Sequence, residues 1–335
     1  VQILPKRKKY TNTLLVDGDS LLKTAYYGAK NLYYKDTHIG GIFQFLTMLR
    51  KVINENRFDK VFIFWDGQFS GRLRYEIYTP HEPQDPELFI QKERVIQYCE
   101  ELFIRQFQDE IIEADDSIGY YCTNIEEDEK VVIISNDRDM CQLIDNRVAI
   151  YVINLRKIIS KDNYYEHFNH HYTNVKLVKI LSGDASDNIK GIQGVKEKTL
   201  IKYFPEITEK TLTLKDIISK IEVLQSERKT RLKTLDNIKN KVTIGCQGED
   251  IFDINEKIIN LRKPLLTESA KEHLNSLFVS PIDPEDRTTK NVIKMMLEDG
   301  LTMAIPGGRD GYINFLKPFL RIIKKEKIFF NISKK

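Results

Sequence analysis

Nine carboxylates carry the chemistry that can be read from this chain. Asp17, Asp66, Glu113 and Asp137 each follow a short apolar run: Leu14-Leu15-Val16, Val61-Phe62-Ile63-Phe64-Trp65, Ile111-Ile112 and Val131-Val132-Ile133-Ile134. Two of these acids bring neighbours, Glu113 being followed by Asp115 and Asp116, and Asp137 by Asp139. Farther along, Asp184 and Asp187 stand three apart, on one face if that turn is helical. Any one of these acids could be a helix N-cap or a solvated loop residue, where Asp is commonest. The set as a whole points elsewhere, because so many anions in a small volume repel one another unless cations neutralise them. Carboxylate oxygens select hard ions such as magnesium or manganese, and six scattered histidines offer no zinc alternative. Two such ions roughly 3.5–4 Å apart can activate a water and stabilise the leaving oxygen of a phosphodiester.

For these acids to meet, the runs that precede them must end along one edge. Between the runs lie two amphipathic helical patterns. One is near Ile42–Asn54, with Ile42, Phe45, Leu46, Leu49, Val52 and Ile53 on one face; the other is near Lys92–Phe107, showing Val95, Ile96, Cys99, Leu102 and Phe103. Unbroken apolar strands alternating with such helices argue for an α/β fold, a mostly parallel central sheet flanked by helices. The carboxyl ends of its strands then form the ligand-binding edge. From about Val175 onward helical signals dominate, and the final third is broken by Pro264, Pro281, Pro284 and Pro306. The expected organisation is a basic tail over residues 1–12, an α/β domain over 13–173 and a helical region over 174–335.

Composition narrows the partners. The 335 residues are 41% apolar, which supplies a substantial core and excludes wholesale disorder. No apolar run approaches the roughly 20 residues needed to span a bilayer. The Lys6-Arg7-Lys8-Lys9 cluster is followed by an apolar stretch that stops at Asp17, so a secretion signal is not expected. Four cysteines with no C-x-x-C pair suit reduced thiols in a cytoplasmic protein. The 52 basic and 49 acidic residues nearly balance. Nine of the acids belong to one set, however, so the rest of the chain is basic, as suits a polyanionic substrate held over divalent metal.

A second signal lies at Asp187–Val195, which leads into Lys196, Lys198, Thr199 and Lys202. Gly191 and Gly194 allow close approach of backbone to phosphate, and a helix N-terminus after them offers amide donors. Lys190, Lys196, Lys198 and Lys202 add attraction that is independent of base sequence. The plain alternative is an ordinary glycine turn before an amphipathic helix. The basic run Ser226–Lys241, with Arg228, Lys229, Arg231 and Lys233, fits a solvated helix or a phosphate track equally well. His167, His170 and His171 have helical ligand spacing, for which a polar helix face is the simpler reading than zinc.

These residues resemble the structure-specific 5′-nuclease superfamily, which includes flap endonucleases and the exonuclease domains of bacterial repair polymerases. Bacteriophage ribonuclease H and 5′-to-3′ exonucleases are nearest in look. The resemblance is carried by V-D-G-D-S at Val16–Ser20, F-W-D-G at Phe64–Gly67, E-A-D-D at Glu113–Asp116, S-N-D-R-D at Ser135–Asp139 and G-D-A-S-D-N-I-K-G-I-Q-G-V at Gly183–Val195. It implies a PIN-like nuclease sheet, an arch near residues 68–91, and a helix–three-turn–helix near 180–205 that grips duplex DNA and holds a potassium ion. It implies that Asp66 and Asp115 ligate one metal, with Asp17 and Glu113 acting directly or through water. Asp137, Asp139 and Asp184 would ligate the second, with Asp116 and Asp187 standing behind. Water activated by the ions is the attacking group, and no side-chain nucleophile is required. Two positions depart from the family pattern. Lys196 stands where a glycine is common. In the arch, Arg72, Arg74 and Tyr75 fit the beginning and suit phosphate contact, but Thr79-Pro80-His81-Glu82-Pro83 has an acid where lysine is expected.

The resulting expectation is a monomeric, magnesium-dependent 5′-to-3′ exonuclease and flap endonuclease using two ions, for which manganese substitutes. Its substrates would be duplex DNA bearing a 5′ flap, nick or RNA primer, during replication primer removal. A single-strand-binding protein or clamp would be its partner, with no membrane association and a place in the host cytoplasm if viral. Two rivals belong to other classes: a non-catalytic binder of branched DNA, suggested by the altered arch, and a PIN-like single-strand ribonuclease, which lacks the duplex-gripping segment. The balance among exonuclease, flap and ribonuclease H activities depends on the arch and is not legible in the sequence.

Overall fold

A computed structural model describes residues 11–29, 31–69, 85–185, 189–227, 229–242, 251–285 and 287–334. The run Leu14-Leu15-Val16 is fully buried within strand β1 (Thr11–Asp17), which places it at the centre of a six-stranded sheet. Helix α1 (Gly18–Gly28) follows at once, then a hairpin of β2 (Tyr33–Tyr34) and β3 (Thr37–His38), then α2 (Gly40–Glu55) and β4 (Lys60–Trp65). Next come α3 (Pro86–Glu101), β5 (Arg105–Gln108), α4 (Ala114–Thr123), β6 (Glu129–Ser135), β7 (Val148–Val152) and β8 (Lys157–Ile159). The spatial order is β5-β4-β1-β6-β7-β8; β8 runs antiparallel to β7, and all other neighbours are parallel. The chain moves outward from β1 to one side through β4 and β5, then returns to the other side through β6 and β7. That reversal makes the carboxyl end of β1 the crevice of the sheet.

One face of the sheet carries α1, α2 and α3. The buried stripe of α2 (Ile42, Phe45, Leu46, Leu49, Val52, Ile53) packs there with Val16, Ile63 and Trp65. Each such side chain contributes about 1.5–3 kcal/mol by leaving water. The other face is covered by α4 and the short turn Arg138–Leu143, and by α10 (Glu268–Val279). A separate apolar cluster joins α5 (Val175–Ser182), α6 (Glu197–Tyr203), α7 (Leu214–Ser226), α8 (Lys233–Lys239) and α9 (Ile251–Ile259). Between α5 and α6 sits a small hairpin of β9 (Gly183–Asp184) and β10 (Ile189–Lys190). After α9 the chain returns to the sheet. Both α11 (Thr289–Glu298) and α12 (Gly308–Ser333) bury side chains in the first face's core. No helix among the described residues is long and apolar enough to cross a membrane.

Three local expectations are corrected. The second helix begins at Pro86, where Asp85 caps the Glu87 amide and proline occupies the first turn, and it ends at Glu101. The residues expected to extend it form β5, and Ile111-Ile112 is loop, the Ile112 carbonyl accepting from Gly67 N–H. The cause is the mixed composition of β5, Arg-Gln-Phe-Gln, which does not announce a strand. Arg105 is nonetheless buried, because Glu326 of α12 pairs with it at 2.7 Å and the Leu277 and Ser280 carbonyls accept from it. Third, Asp184 is extended within β9, so a helical juxtaposition with Asp187 does not hold from its side; Asp187 lies outside the described residues.

Replacing Arg105 with methionine strands the buried Glu326 carboxylate, an effect of about 3–5 kcal/mol. The urea midpoint of Arg105→Met should therefore fall sharply, while Arg105→Met combined with Glu326→Leu should recover most of the loss.

Candidate active site

The parallel sheet sets Asp17 as the last residue of β1 and Asp66 directly after β4, with Asp137 two residues past β6. Each is fixed by donors from its own turn or from a neighbouring element. Asp17 caps α1: one carboxylate oxygen accepts from Ser20 N–H at 3.0 Å, the other from the Ser135 hydroxyl at 2.8 Å. The Ser135 oxygen in turn accepts from Asp137 N–H at 2.9 Å, so one buried hydroxyl ties the ends of β1 and β6 together. Asp137 caps the Arg138–Leu143 turn through Asp139 N–H, 2.7 Å away. Asp66 Oδ1 accepts from Ala114 N–H at 2.9 Å, which joins β4 to the start of α4, where Glu113 is the N-cap and Asp115 and Asp116 fill the first turn. Anions at helix N-termini gain from the free amides and the helix dipole.

These donors do not neutralise the cluster. Burial drives the Asp115 carboxyl well above the usual carboxylate range, and the charges of Asp137, Asp17, Asp66 and Glu113 push the same way, in that order. Asp17 is pushed up to about 7, first by burial and then by Asp66, against the hydrogen bonds from Ser20 and Ser135. Five acids drawn from four places in the chain thus share one field. Asp139 and Asp184 belong to a second group, organised by Lys179 of α5. This buried ammonium pairs with both carboxylates, at 2.9 Å from Asp184 Oδ2. Asp116 is turned differently: its Oδ1 accepts from Leu265 N–H at 3.0 Å. With so many oxygens directed at protein donors, no three His, Cys, Asp or Glu side chains among the described residues are already arranged to hold a metal ion. The donor set nevertheless fits hard divalent cations. It is made of carboxylate oxygens, it is half-buried around the buried Asp17, and its raised proton affinities express a demand for positive charge.

Beside this edge, β9 and β10 bring two glycines into contact. Gly183 has φ +68°, and a Cβ on Gly191 would lie 2.2 Å from the Ser182 carbonyl carbon, so neither position accepts a side chain. The following loop is held from behind. Asn255 donates to the Ile180 and Lys190 carbonyls, Asn237 donates to the Gln193 carbonyl, and Gln193 N–H reaches Val242. Lys190, Gly194, Lys196, Lys198 and Lys202 are all exposed along this segment. Arg72 and Arg74 lie outside the described residues. In the basic run, Arg231 pairs with Asp236 and Lys239 with Glu222. The histidines are not on a helix: His170 is buried between the Tyr164 hydroxyl at 3.0 Å and Glu197 at 2.9 Å, joining the sheet's core to α6.

Four contributors escaped the sequence reading: Asp19, Lys92, Lys179 and Ser135. Asp19 had a usable signal, since it follows Asp17 by two residues, the spacing of Glu113 with Asp115 and of Asp137 with Asp139. The two lysines had none, because burial of a lysine is decided by partners distant in sequence.

Residues 12–169 match the family model described as 5′-3′ exonuclease, N-terminal resolvase-like domain. The chain is 26% identical over 268 residues to a 5′-3′ exonuclease of Mycoplasmopsis pulmonis, covering 73% of this chain and 88% of that protein. It is 30% identical over 229 residues to DNA polymerase I of Bacillus subtilis, covering 64% of this chain and 26% of that longer protein. In fold it is similar to T5 5′-exonuclease, with a TM-score of 0.57 at 17% identity, covering 93% of this chain and 99% of that one. The amino-terminal match and the exonuclease relatives together support a place in the flap nuclease superfamily, that of flap endonucleases and 5′-3′ exonucleases. It is accordingly a hydrolase of nucleic-acid phosphodiesters.

The raised Asp17 carboxyl has a thermodynamic consequence. A carboxyl whose folded pKa exceeds its unfolded value contributes stability that is fully present below the unfolded pKa and is lost as pH rises through the folded one. With chelator present, Asp17→Asn should gain in Tm over the unsubstituted chain as pH rises from 5 to 7, and the gain should level off above. A Tm difference that does not change with pH would contradict this assignment.

Proposed function

We propose that this chain is a divalent-metal-dependent 5′-to-3′ exonuclease and flap endonuclease that acts near the 5′ ends of DNA or RNA primers on duplex DNA. The observation that carries the proposal is Asp115, half-buried and surrounded by the charges of Asp137, Asp17, Asp66 and Glu113. A protein that only bound branched DNA would gain nothing from concentrating anions beside phosphate. Asp66 and Asp115, with Asp17 and Glu113, would hold one magnesium ion; Asp137, Asp139 and Asp184 would hold a second, with Asp116 and Asp187 behind them and manganese able to substitute. When bound, such a pair supplies activation of a water and neutralisation of charge at the scissile phosphate. T5 5′-exonuclease has been solved with bound divalent metal ions, and T5 flap endonuclease in a complex with DNA and metal ions, which supports this reading.

The chain's own residues do the positioning. Ser135 and the amides of Ser20, Ala114 and Asp139 hold the carboxylates at the sheet's edge before a substrate arrives. Lys179 offsets charge between Asp139 and Asp184. Exposed Lys190, Lys196, Lys198 and Lys202, with the backbone at Gly191 and Gly194, would follow the duplex phosphates, and a potassium ion would add to that grip. Arg72 and Arg74 would meet the 5′ strand. The match to the polymerase I relative supports a place in primer removal.

Magnesium should support cleavage of a 5′-flap duplex, and EDTA or Asp137→Asn combined with Asp139→Asn should reduce it to background with duplex binding retained. Robust cleavage by that double variant would refute the metal assignment. Lys198→Ala with Lys202→Ala should weaken duplex binding and make the slope of log K against log salt shallower by about 2.

A further inference from the structure

A buried lysine on α3 reaches the main chain of a proposed metal ligand. Lys92 Nζ donates to Asp19 Oδ2 at 2.9 Å and to the Asp66 carbonyl at 2.9 Å. Asp19 Oδ2 also accepts from Asp66 N–H at 2.7 Å. Both peptide groups flanking the Asp66 Cα are thus held by one ion pair whose side chains are only 9% and 5% exposed. Gln108 adds a second donor to the same carbonyl at 3.0 Å. The carboxylate on that Cα is meanwhile fixed by Ala114 N–H.

The helix that carries Lys92 is itself anchored on three sides. Near its start, Asp85 accepts from the Tyr26 hydroxyl of α1 at 2.8 Å. One position before Lys92, Gln91 accepts from Ile42 N–H of α2 at 3.1 Å. Two positions after it, Arg94 holds Asp299 through two donors, and the Tyr98 hydroxyl joins the same carboxylate. Lys92 Nζ also lies 5.4 Å from the centre of the Trp65 ring, whose indole N–H is bonded to Gln106. A flexible surface lysine could not fix a main chain, whereas an ammonium delivered from a clamped helix into a buried pair can.

We propose that Lys92 and Asp19 together form a positioning pair, which sets the main chain of Asp66 and thereby the side from which its carboxylate can join Asp115 on a metal ion. The role rests on the nuclease reading proposed above. Neither residue touches substrate; they act through Asp66. Groups that orient metal ligands in this way typically affect metal affinity or turnover about 10–100-fold when removed.

Lys92→Met alone leaves Asp19 buried without its cation and so risks misfolding. The decisive variant is therefore Lys92→Met with Asp19→Asn, which removes the charges together, compared with Lys92→Arg, which keeps a cation. Manganese binding is read by calorimetry without DNA, and magnesium-dependent flap cleavage is read separately, both on chains whose Tm is measured. The double variant should bind manganese about 10–100-fold more weakly and lose a similar factor in kcat, with KM for flap DNA within about twofold. Lys92→Arg should recover part of both losses. A double variant with an unshifted Tm that binds manganese as tightly as the unsubstituted chain would overturn the positioning role, whatever its cleavage. Should the unsubstituted chain bind manganese but fail to cleave, the nuclease reading falls, and the calorimetric comparison still decides the role of the pair. An unsubstituted chain that binds no manganese overturns both.

Discussion

Mutual repulsion among crowded carboxylates is the constraint around which this molecule is arranged. A parallel sheet delivers Asp17, Asp66 and Asp137 to one edge and α4 adds Glu113 and Asp115, at a cost that hydrophobic burial elsewhere must offset. The fold lowers that cost with fixed donors rather than with water. Helix amides, the Ser135 hydroxyl and Lys92 each face a particular acid, and Lys179 faces two. Compensation stops short of neutrality, as the raised Asp17 and Asp115 carboxyls record. That residual demand for positive charge is what a structural ion-pair network would have removed and what a metal-dependent site needs to keep.

The two lysines divide the work. Lys92, in the α/β body, secures the Asp66 end of the cluster from behind. Lys179 comes from α5, the first helix of the cluster that carries the β9–β10 hairpin, and gathers Asp139 from the sheet with Asp184 from the hairpin. The site is therefore shared between the sheet and the helical cluster that follows it. The buried contact of His170 with Tyr164 and Glu197 strengthens the same junction. Exposed lysines on α6 are thereby held in a defined relation to the carboxylates. Such a relation is needed if binding of duplex phosphate is to place a 5′ end over the acids.

The carboxy-terminal helices complete the core of the sheet. By returning to the sheet, α11 and α12 cover the face that carries α2 and α3, and α12 supplies Glu326 to the otherwise polar edge strand β5. Asp299, at the end of α11, holds Arg94 and Tyr98 of α3 and so steadies the helix from which Lys92 projects. Packing far from the acids is thus connected to the geometry of Asp66.

The α/β class and the carboxylates at the strand ends were legible from the sequence alone. Strands covered on both faces leave unbroken apolar runs, and the acids that follow three of them, Asp17, Asp66 and Asp137, mark the sheet's edge, whereas the run before Glu113 is loop. Gly191 was legible as a place of close backbone approach, which in the fold is to Ser182 and Gly183 of the same chain. What the tertiary structure alone decided is how each charge is matched. Glu326 makes a strand of Arg-Gln-Phe-Gln from 221 residues away, Asp116 turns to an amide 149 residues on, and Asp19 and Lys92 meet across 73. Local periodicity carries no trace of such pairs. The free energy of burying a charge depends on its partner in space, and that partner is known only once the chain has folded.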